Sequence, residues 1–559
     1  MKNVYLLLVF MMTGYVVAQP VSEIQKIEQL GLVWGLMKYK HPEVSKGKFD
    51  WDKELVALLE KSEKVNDQSE IEAEINSLFS KVNAKNPTFK ISKDETLSLF
   101  SKNADFDWID SIGFSDSVKD ELHKLRRNKN IGNHYAKFYA LSTIISFENE
   151  KGFKGFDRGV KSHRLLLLIN FWNAIQYWDV NKYLCDENWR KSLPKMIFEF
   201  IDADTSAKFE IAKLKMTARL NDSHSYSVSN FFADSLFNRF PAFGVKIIND
   251  SLLVVQIANK ELASKDGIEV GDVITKIKGL PIREYIDKTF APLISASNQN
   301  NLDDFLGRGF IVRDNTESLD VTVYSKRLKS EKRINIGLYK TYETKNPEAL
   351  YKSRTETWSM PKPDIVYINL EKITDNEIDE IFKKNKYTKG IIFDLRNYPR
   401  NLSPNKLANF LYPTRKQFVK VLSPYLENPA YGNADTDAPT SIISDPFKAG
   451  RSNSDFYKGK VIVLVNRRTM SNAEYIAMML QQAPNATVIG EQTAGSPMNF
   501  QSYILSDKQE ASFTALGGFY PDGTQVQRNG IKIDLVIVGS ALNYDSDRYV
   551  SEAIKLIEK

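Results

Sequence analysis

From residue 364 onward, short uninterrupted apolar runs alternate with helical stretches, and this alternation constrains the fold more than any other feature. The runs are rich in β-branched residues and lie at 365–370, 391–395, 461–465 and 487–490. Runs of this kind are typical of strands that are buried on both faces of a sheet. Helical patterns at 375–384 and 472–482 separate them. The C-terminal part of the chain is therefore predicted to be a layered α/β domain.

The chain is too long for one hydrophobic core, because domains usually split beyond about 250 residues. Its 559 residues fall into regions with different hydrophobic patterns. Residues 21–230 are mostly helical in pattern, whereas 240–339 carry short alternating strands. We expect a signal peptide at 1–18, a helical N-terminal domain at 19–160, a second helical segment at 161–235, a small β domain at 236–345 and the α/β domain at 346–559.

Within the helical region an aromatic pattern occurs twice with the same spacing. The first copy is Trp34, Tyr39, Trp51 and Leu55, and the second is Trp172, Tyr177, Trp189 and Leu193. The pattern indicates either a duplicated helical unit or two unrelated, aromatic-rich helix pairs. Both interpretations assign these side chains to core packing.

Composition excludes several classes of function. The 76 Lys and Arg residues are interspersed with 70 Asp and Glu residues, which gives no support for nucleic-acid binding. Cys185 is the single cysteine, so an intrachain disulfide and a cysteine zinc site are excluded. The five histidines lack the HExxH spacing of a metallopeptidase. We expect no metal and no organic cofactor.

The N-terminus has the layout of a secretory signal. Lys2 precedes an apolar run at 4–17, and Ala18 follows at the expected cleavage position. The run is too short for a comfortable membrane span, although an uncleaved anchor is the alternative. We expect an exported protein, periplasmic or extracellular, without stable membrane insertion once the signal is removed.

Ser471 lies where the apolar run at 461–465 gives way to a helical pattern. The unpaired N–H groups at the start of a helix favour negative charge. They would stabilise both a serine nucleophile and the oxyanion that it generates. The alternative is that Ser471 only caps the helix, which is a common use of serine.

Four segments around Ser471 follow one another in the order of a known family; they are 390–399, 461–474, 488–495 and 520–534. They resemble the G-I-I-x-D-L-R, T-A-S-A-x-E, V-I-G-E-x-T-x-G and P-D-G motifs of the C-terminal processing (tail-specific) serine peptidases and their tricorn-like relatives. The resemblance implies a layered ββα core of the crotonase/Clp type, with Ser471 as the nucleophile. It reaches back to about Leu165.

The segment 265–282 resembles the AGIxxGDxIxxINGxxI stretch of bacterial PDZ domains. Gly267 and Gly271 permit tight turns, and Asp272 can accept hydrogen bonds from backbone amides. A PDZ-like fold exposes a sheet edge that binds an extended peptide by strand addition. A spacer without a ligand is the alternative. The candidate peptide-binding residues are Gly244, Val245 and Ile247.

The resemblance also indicates the catalytic base. Where the processing peptidases have a base lysine, this sequence has Ser496. The tricorn-like branch instead uses a Ser-His pair ahead of the PDZ domain, and Ser223-His224 matches that pair. It implies that His224 is the general base, with Ser223 holding its outer nitrogen. Histidine suits this role because its ordinary pKa is close to neutrality.

Two departures from the family pattern concern the same site. The acidic residue of the tricorn-like branch falls near Gln527, and a Gly-Gly pair becomes Arg400-Asn401. The oxyanion hole is expected to consist of the N–H of Asn472 and one near Arg400. We expect a peptidase that acts on peptides or unfolded proteins. A catalytically weak or inactive ligand-binding protein on the same fold is the alternative. The two departures favour it, whereas the retention of Ser471 and Ser223-His224 disfavours it.

Overall fold

The structure is a computed structural model, and it describes residues 21–91, 99–226, 230–340, 356–434, 446–537 and 547–559. The predicted signal peptide at 1–18 lies outside these ranges. Of the helices in these ranges, none combines the length and apolarity that a bilayer span requires.

The N-terminal region is helical, as predicted. Its helices and two short strands are α1 (Glu23–Lys40), α2 (Trp51–Ser62), α3 (Gln68–Asn83), α4 (Trp108–Ser111), α5 (Asp116–Arg127), β1 (Lys137–Phe138), β2 (Ile145–Ser146), α6 (Lys161–Trp178), α7 (Trp189–Ile201) and α8 (Ser206–Ala218). The helices on both sides of residue 160 share one hydrophobic core. That core also takes in Tyr503 and Phe513 from the C-terminal region, so the helices are packed directly onto it.

The two copies of the aromatic pattern have the same geometry. Trp34 and Trp51 stack with ring centroids 6.3 Å apart, and Trp172 and Trp189 stack at 6.2 Å. Within each pair, each indole N–H donates to the backbone carbonyl of the other tryptophan. Two unrelated helix pairs have no reason to repeat this reciprocal bonding. The geometry therefore favours a duplicated helical unit.

Equivalent positions of the two copies also meet each other where α1 crosses α6. The rings of Tyr39 and Tyr177 lie 5.2 Å apart. A Cβ on Gly35 would lie 1.8 Å from Oδ1 of Asn173, so only glycine permits this close crossing. Contacts between equivalent residues are typical of a two-fold arrangement, which here lies within one chain.

The small β region follows, with β3 (Phe243–Ile248), β4 (Ser251–Ile257), α9 (Lys260–Asp266), β5 (Val273–Ile277), β6 (Leu280–Pro281), α10 (Ile282–Thr289), α11 (Gln299–Gly307), β7 (Ser318–Ser325) and β8 (Ser330–Gly337). The strands form a sheet in the order β3-β4-β5-β7-β8, with β6 beside β5. Gly267 and Gly271 adopt the positive φ values of 66° and 96° that tight turns need. Asp272 accepts hydrogen bonds from the N–H groups of Glu269 and Lys326, as its sequence context predicts.

The C-terminal region contains β9 (Trp358–Lys362), β10 (Ile365–Asn369), α12 (Asp375–Lys384), β11 (Gly390–Asp394), α13 (Pro404–Leu411), β12 (Lys416–Gln417), β13 (Lys420–Pro424), β14 (Gly432–Asn433), β15 (Lys448–Ala449), β16 (Lys460–Val465), α14 (Asn472–Leu480), β17 (Ala486–Gly490), β18 (Phe500–Ile504), β19 (Glu510–Thr514), β20 (Gly517–Phe519), β21 (Leu535–Val536) and α15 (Arg548–Glu558). Its main sheet has the order β21-β17-β16-β11-β10-β9. Neighbouring strands from β21 to β10 are parallel, and β9 is antiparallel.

Helices cover both faces of this sheet. One face packs against α12, α13 and α14, and the other packs against Val550, Ala553 and Ile557 of α15. This explains why the strands read as continuous apolar runs. The predicted multidomain α/β fold with a helical N-terminal region is confirmed. The domain boundaries and the PDZ-like and crotonase/Clp-like identities stay predictions.

Candidate active site

Ser471 lies at the turn from β16 to α14, and its backbone is strained. Its φ of 57° and ψ of −125° belong to a region that residues other than glycine rarely adopt. Holding a residue there costs about 1–3 kcal/mol, and such strain clusters at active sites. Ser471 precedes α14, yet its side chain makes no capping hydrogen bond there. The interpretation of Ser471 as a capping residue is therefore wrong.

Glu474 fixes this turn to the segment 493–496. Its buried carboxylate accepts hydrogen bonds from the hydroxyl of Thr493 and from the N–H groups of Gly495 and Ser496, both at 2.8 Å. The N–H of Ser471 donates to the carbonyl of Ser496 at 3.0 Å. Burial raises the pKa of Glu474 to about 7, although these donors oppose the rise. The backbone of the turn is thus held from two sides.

The loop that carries His224 follows α8 and is organised by the carboxylate of Asp222. Asp222 Oδ1 accepts hydrogen bonds from the N–H of His224 at 3.1 Å, the hydroxyl of Ser496 at 2.9 Å and the hydroxyl of Thr514 at 2.7 Å. Asp222 Oδ2 accepts from the N–H of Thr514 at 2.6 Å. His224 Nδ1 lies 3.0 Å from the same Thr514 hydroxyl. All four side chains are buried.

This arrangement determines which nitrogen of His224 carries the proton. A threonine hydroxyl has one hydrogen, and Thr514 donates it to Asp222. The contact from His224 Nδ1 to Thr514 must therefore be an N–H that donates to the hydroxyl oxygen. In neutral His224 this leaves Nε2 without a proton, which is the form of a base. Burial lowers the pKa of His224, against the opposing charge of Asp222, and favours this neutral form.

The structure corrects the expected role of Ser223. Its hydroxyl does not hold the outer nitrogen of His224; it donates to the carbonyl of Ala494 at 3.1 Å and accepts from the N–H of Ser297 at 3.0 Å. Consecutive side chains of the tight turn at 222–225 point in different directions, so Ser223 and His224 have different surroundings. Thr514 takes the expected place beside Nδ1.

Gln527 lies in the same network but does not contact the imidazole. Its Nε2 is 3.3 Å from Asp222 Oδ1 and 3.4 Å from Thr514 Oγ1, at hydrogen-bond distances that are long for strong bonds. The carboxylate in this network belongs to Asp222. Gln527 is buried, and its Oε1 has no hydrogen-bond partner among the described residues.

The segment 494–496 joins the two halves of the site. It receives the N–H of Ser471 on one side and the hydroxyl of Ser223 on the other, and the hydroxyl of its Ser496 donates to Asp222. Within the described ranges, no hydrogen bond joins Ser471 to the imidazole of His224. In enzymes without bound substrate, the hydrogen bond between nucleophile and base is often long and tightens only in the substrate complex.

The two candidate oxyanion donors lie at the carboxyl ends of adjacent parallel strands. Asn472 begins α14, and its N–H has no hydrogen-bond partner in the part of the chain that the structure describes. The loop with Arg400 follows β11, and the hydroxyl of Thr469 donates to the carbonyl of Leu395 at the start of that loop. The side chain of Arg400 is exposed and therefore does not fill the site. No hydrogen bond between described residues brings Arg400 to Ser471.

The candidate peptide-binding residues lie on β3, which is at the edge of the small sheet. Val245 and Ile247 point into the core of this region, and Gly244 is buried as well. Strand addition would therefore use the backbone of β3 rather than these side chains. In the described ranges no group of three or more His, Cys, Asp or Glu side chains has the arrangement of a metal site.

Sequence reasoning missed three residues of this site: Asp222, Glu474 and Thr514. Two of them had a signal, because Asp222 lies two positions before His224 and Glu474 is the acidic residue of the motif that contains Ser471. Thr514 had none. It reaches His224 because β19 passes beside the loop, which is a contact between distant parts of the chain.

Residues 364–537 match peptidase family S41. A probable CtpA-like serine protease of Staphylococcus aureus (strain COL) is 25% identical over 363 residues, which cover 63% of this chain and 64% of the relative. The chain therefore spans less than two thirds of the length of that relative.

Two solved structures of mature CPAF are similar in fold. The one in complex with lactacystin has a TM-score of 0.51 at 11% identity and covers 70% of this chain and 96% of its own. The other has a TM-score of 0.50 at 10% identity, covering 70% and 95%. The resemblance inferred from the motifs is thus confirmed at the level of the domain: residues 364–537 match peptidase family S41, the family of the C-terminal processing peptidases, whereas the tricorn-like branch stays a prediction.

Proposed function

We propose that this protein is an exported serine peptidase that hydrolyses peptide bonds in peptides or unfolded proteins. The observation that carries the proposal is the conformation of Ser471. Ser471 lies at a strand-to-helix turn with a strained backbone, and its hydroxyl makes no capping hydrogen bond. This is the arrangement of a nucleophile elbow. Its place within a family S41 domain, next to the His224 network, supports the same conclusion.

In the proposed mechanism Ser471 Oγ attacks the scissile carbonyl, and His224 Nε2 accepts its proton. The imidazolium then delivers this proton to the leaving amine. Asp222 stabilises the imidazolium through the hydroxyl of Thr514, which also holds the productive tautomer. The N–H of Asn472 and one near Arg400 stabilise the oxyanion. Water then hydrolyses the acyl-enzyme by the same steps.

An exposed aromatic ring next to His224 indicates what the site accepts. The ring of Phe500 lies 5.8 Å from the imidazole, and half of its surface is accessible. An exposed aromatic side chain at this position would contact an apolar side chain of the substrate. The edge of β3, at Gly244, Val245 and Ile247, would bind an extended part of the same chain.

The rival proposal is a binding protein without catalysis. It is favoured by the absence of a hydrogen bond between Ser471 and His224 in the described ranges, and by Arg400-Asn401. The two proposals differ in the fate of an unfolded protein such as casein. A peptidase cleaves it, and Ser471→Ala abolishes the cleavage while the fold remains. A binding protein leaves casein uncleaved, both as the wild type and as Ser471→Ala.

A further inference from the structure

Polar side chains at the start of α11 reach out of the small β region into the candidate active site. Ser297, Asn298 and Asn300, called the polar bridge here, come directly before or at the beginning of this helix. Further along, Leu302 and Leu306 of α11 are buried in the core of the small β region. The polar bridge therefore belongs to the small region but contacts a different part of the molecule.

The polar bridge makes a reciprocal contact with the His224 loop. The hydroxyl of Ser297 accepts a hydrogen bond from the N–H of Ser223 at 2.8 Å, and the N–H of Ser297 donates to the hydroxyl of Ser223 at 3.0 Å. The neighbouring Ser295 accepts from the N–H of Asp222 at 2.9 Å. These bonds fix the backbone on which Asp222 and His224 stand.

The polar bridge also holds the segment that fixes the Ser471 turn. The hydroxyls of Ser297 and Ser496 lie 2.8 Å apart. Asn298 Nδ2 donates to the carbonyl of Thr493 at 2.8 Å, and Asn300 Nδ2 donates to the carbonyl of Gln492 at 3.3 Å. The same segment accepts the N–H of Ser471 and donates to Glu474.

We propose that the polar bridge positions the base loop and the nucleophile turn relative to each other, so that the small β region is part of the catalytic centre. The base and the nucleophile come from parts of the chain that are distant in sequence. Ser297 bonds both to Ser223 of the base loop and to Ser496, whose carbonyl accepts the N–H of Ser471. This inference rests on the proposed function. It differs from the expectation that the small region only binds peptide, because substrate binding remote from the reacting bond affects long substrates selectively.

The test replaces Asn298 by aspartate. Asn298 uses its Oδ1 to cap α11, where it accepts the N–H of Asn301, and aspartate caps a helix equally well. Asn298→Asp therefore keeps the cap on α11. It replaces the Nδ2 group, which donates to the carbonyl of Thr493, by a carboxylate oxygen that can only accept. With a short ester that cannot reach β3, we expect kcat to fall about tenfold or more with little change in KM. Gln299→Ala is the matched control, because Gln299 bonds within α11 to Asp303.

Two results would overturn the inference: an unchanged kcat on the ester, or a loss confined to the KM of long peptides. If Asn298→Asp does not fold, Asn300→Ala is measured in the same way. A second experiment measures hydrogen exchange at the N–H groups of Gly495 and Ser496, which requires no catalytic activity.

We expect faster exchange in Asn298→Asp than in Gln299→Ala. If the wild type hydrolyses nothing, the proposed function fails, and exchange alone decides: faster exchange supports the polar bridge and equal exchange refutes it.

Discussion

His224 gives the most specific prediction at the scale of single residues, because both its tautomer and the direction of its pKa follow from its surroundings. Only the neutral imidazole can accept the proton of Ser471. Because burial lowers the pKa below the ordinary value of 6.5, the rate should already have risen to its plateau by neutral pH. A pH profile of kcat/KM on a short ester measures this. A rise centred well above pH 7 would point to another base.

Replacing His224 should lower kcat by much more than a loss of folded protein can explain. We expect His224→Ala to lower kcat by at least about 10²-fold, the usual size of a general-base contribution. The thermal unfolding midpoint serves as the check on folding. If His224→Ala retains wild-type turnover while Ser471→Ala is inactive, the assignment of His224 fails.

Thr514 should matter to catalysis although it touches no substrate. Thr514→Val keeps the shape of the side chain but removes the acceptor for His224 Nδ1–H and the donor to Asp222. We expect kcat to fall about tenfold or more, because the imidazole loses its preferred tautomer. Thr217→Val is a matched control, since Thr217 is buried and its hydroxyl bonds to carbonyls of its own helix. Equal activities of the two variants would remove Thr514 from the mechanism.

The sequence indicated Ser471 and His224 because each lies in a motif with a fixed chemical role. It assigned the wrong partner to His224, because adjacency in sequence suggested Ser223. Inside a tight turn, neighbouring side chains diverge, and the partner comes from β19. Such partners follow from tertiary packing, which a single sequence does not display.

At the scale of elements, the backbone strain at Ser471, in the turn between β16 and α14, should be relieved when glycine replaces the serine. The φ of Ser471 is 57°, a value that glycine adopts without cost. Ser471→Gly should therefore unfold with a free energy about 1 kcal/mol higher than Ser471→Ala, although both are inactive. Urea unfolding measures the difference. A glycine variant that is less stable than the alanine variant would contradict strain at this turn.

The elements themselves were largely predictable. Strands β10, β11, β16 and β17 appear within one residue of the predicted runs, because burial on both faces imposes a continuous apolar pattern. The repeated tryptophans were predictable as core residues. Their reciprocal bonds were not, because a spacing shows that two residues recur and not how they pair.

At the scale of the whole molecule, one buried carboxyl group should make a contribution to stability that falls as the pH rises. Burial raises the pKa of Asp179 to about 8. Between about pH 4 and pH 8 the folded state keeps a proton that the unfolded state has released, so unfolding becomes easier with rising pH. The slope from this group is at most about 1.4 kcal/mol per pH unit. Urea unfolding at several pH values should show a flatter dependence in Asp179→Asn, and an identical dependence would contradict the assignment.

The three regions of the molecule were predictable, but the contacts between them were not. The local hydrophobic patterns indicated a helical part, a small β part and an α/β part. They did not show that the helical core extends to Tyr503 and Phe513, or that α11 reaches the His224 loop. Both are long-range contacts between regions whose local patterns are independent.

The central claim is that Ser471 is an activated nucleophile, and labelling with a fluorophosphonate tests it most directly. The intact protein is treated with the probe, and the modified peptide is identified by mass spectrometry. We predict a single covalent adduct on Ser471, no adduct in Ser471→Ala, and much slower labelling in His224→Ala, with all three proteins folded. Folded wild-type protein that remains unlabelled at Ser471 would contradict the account.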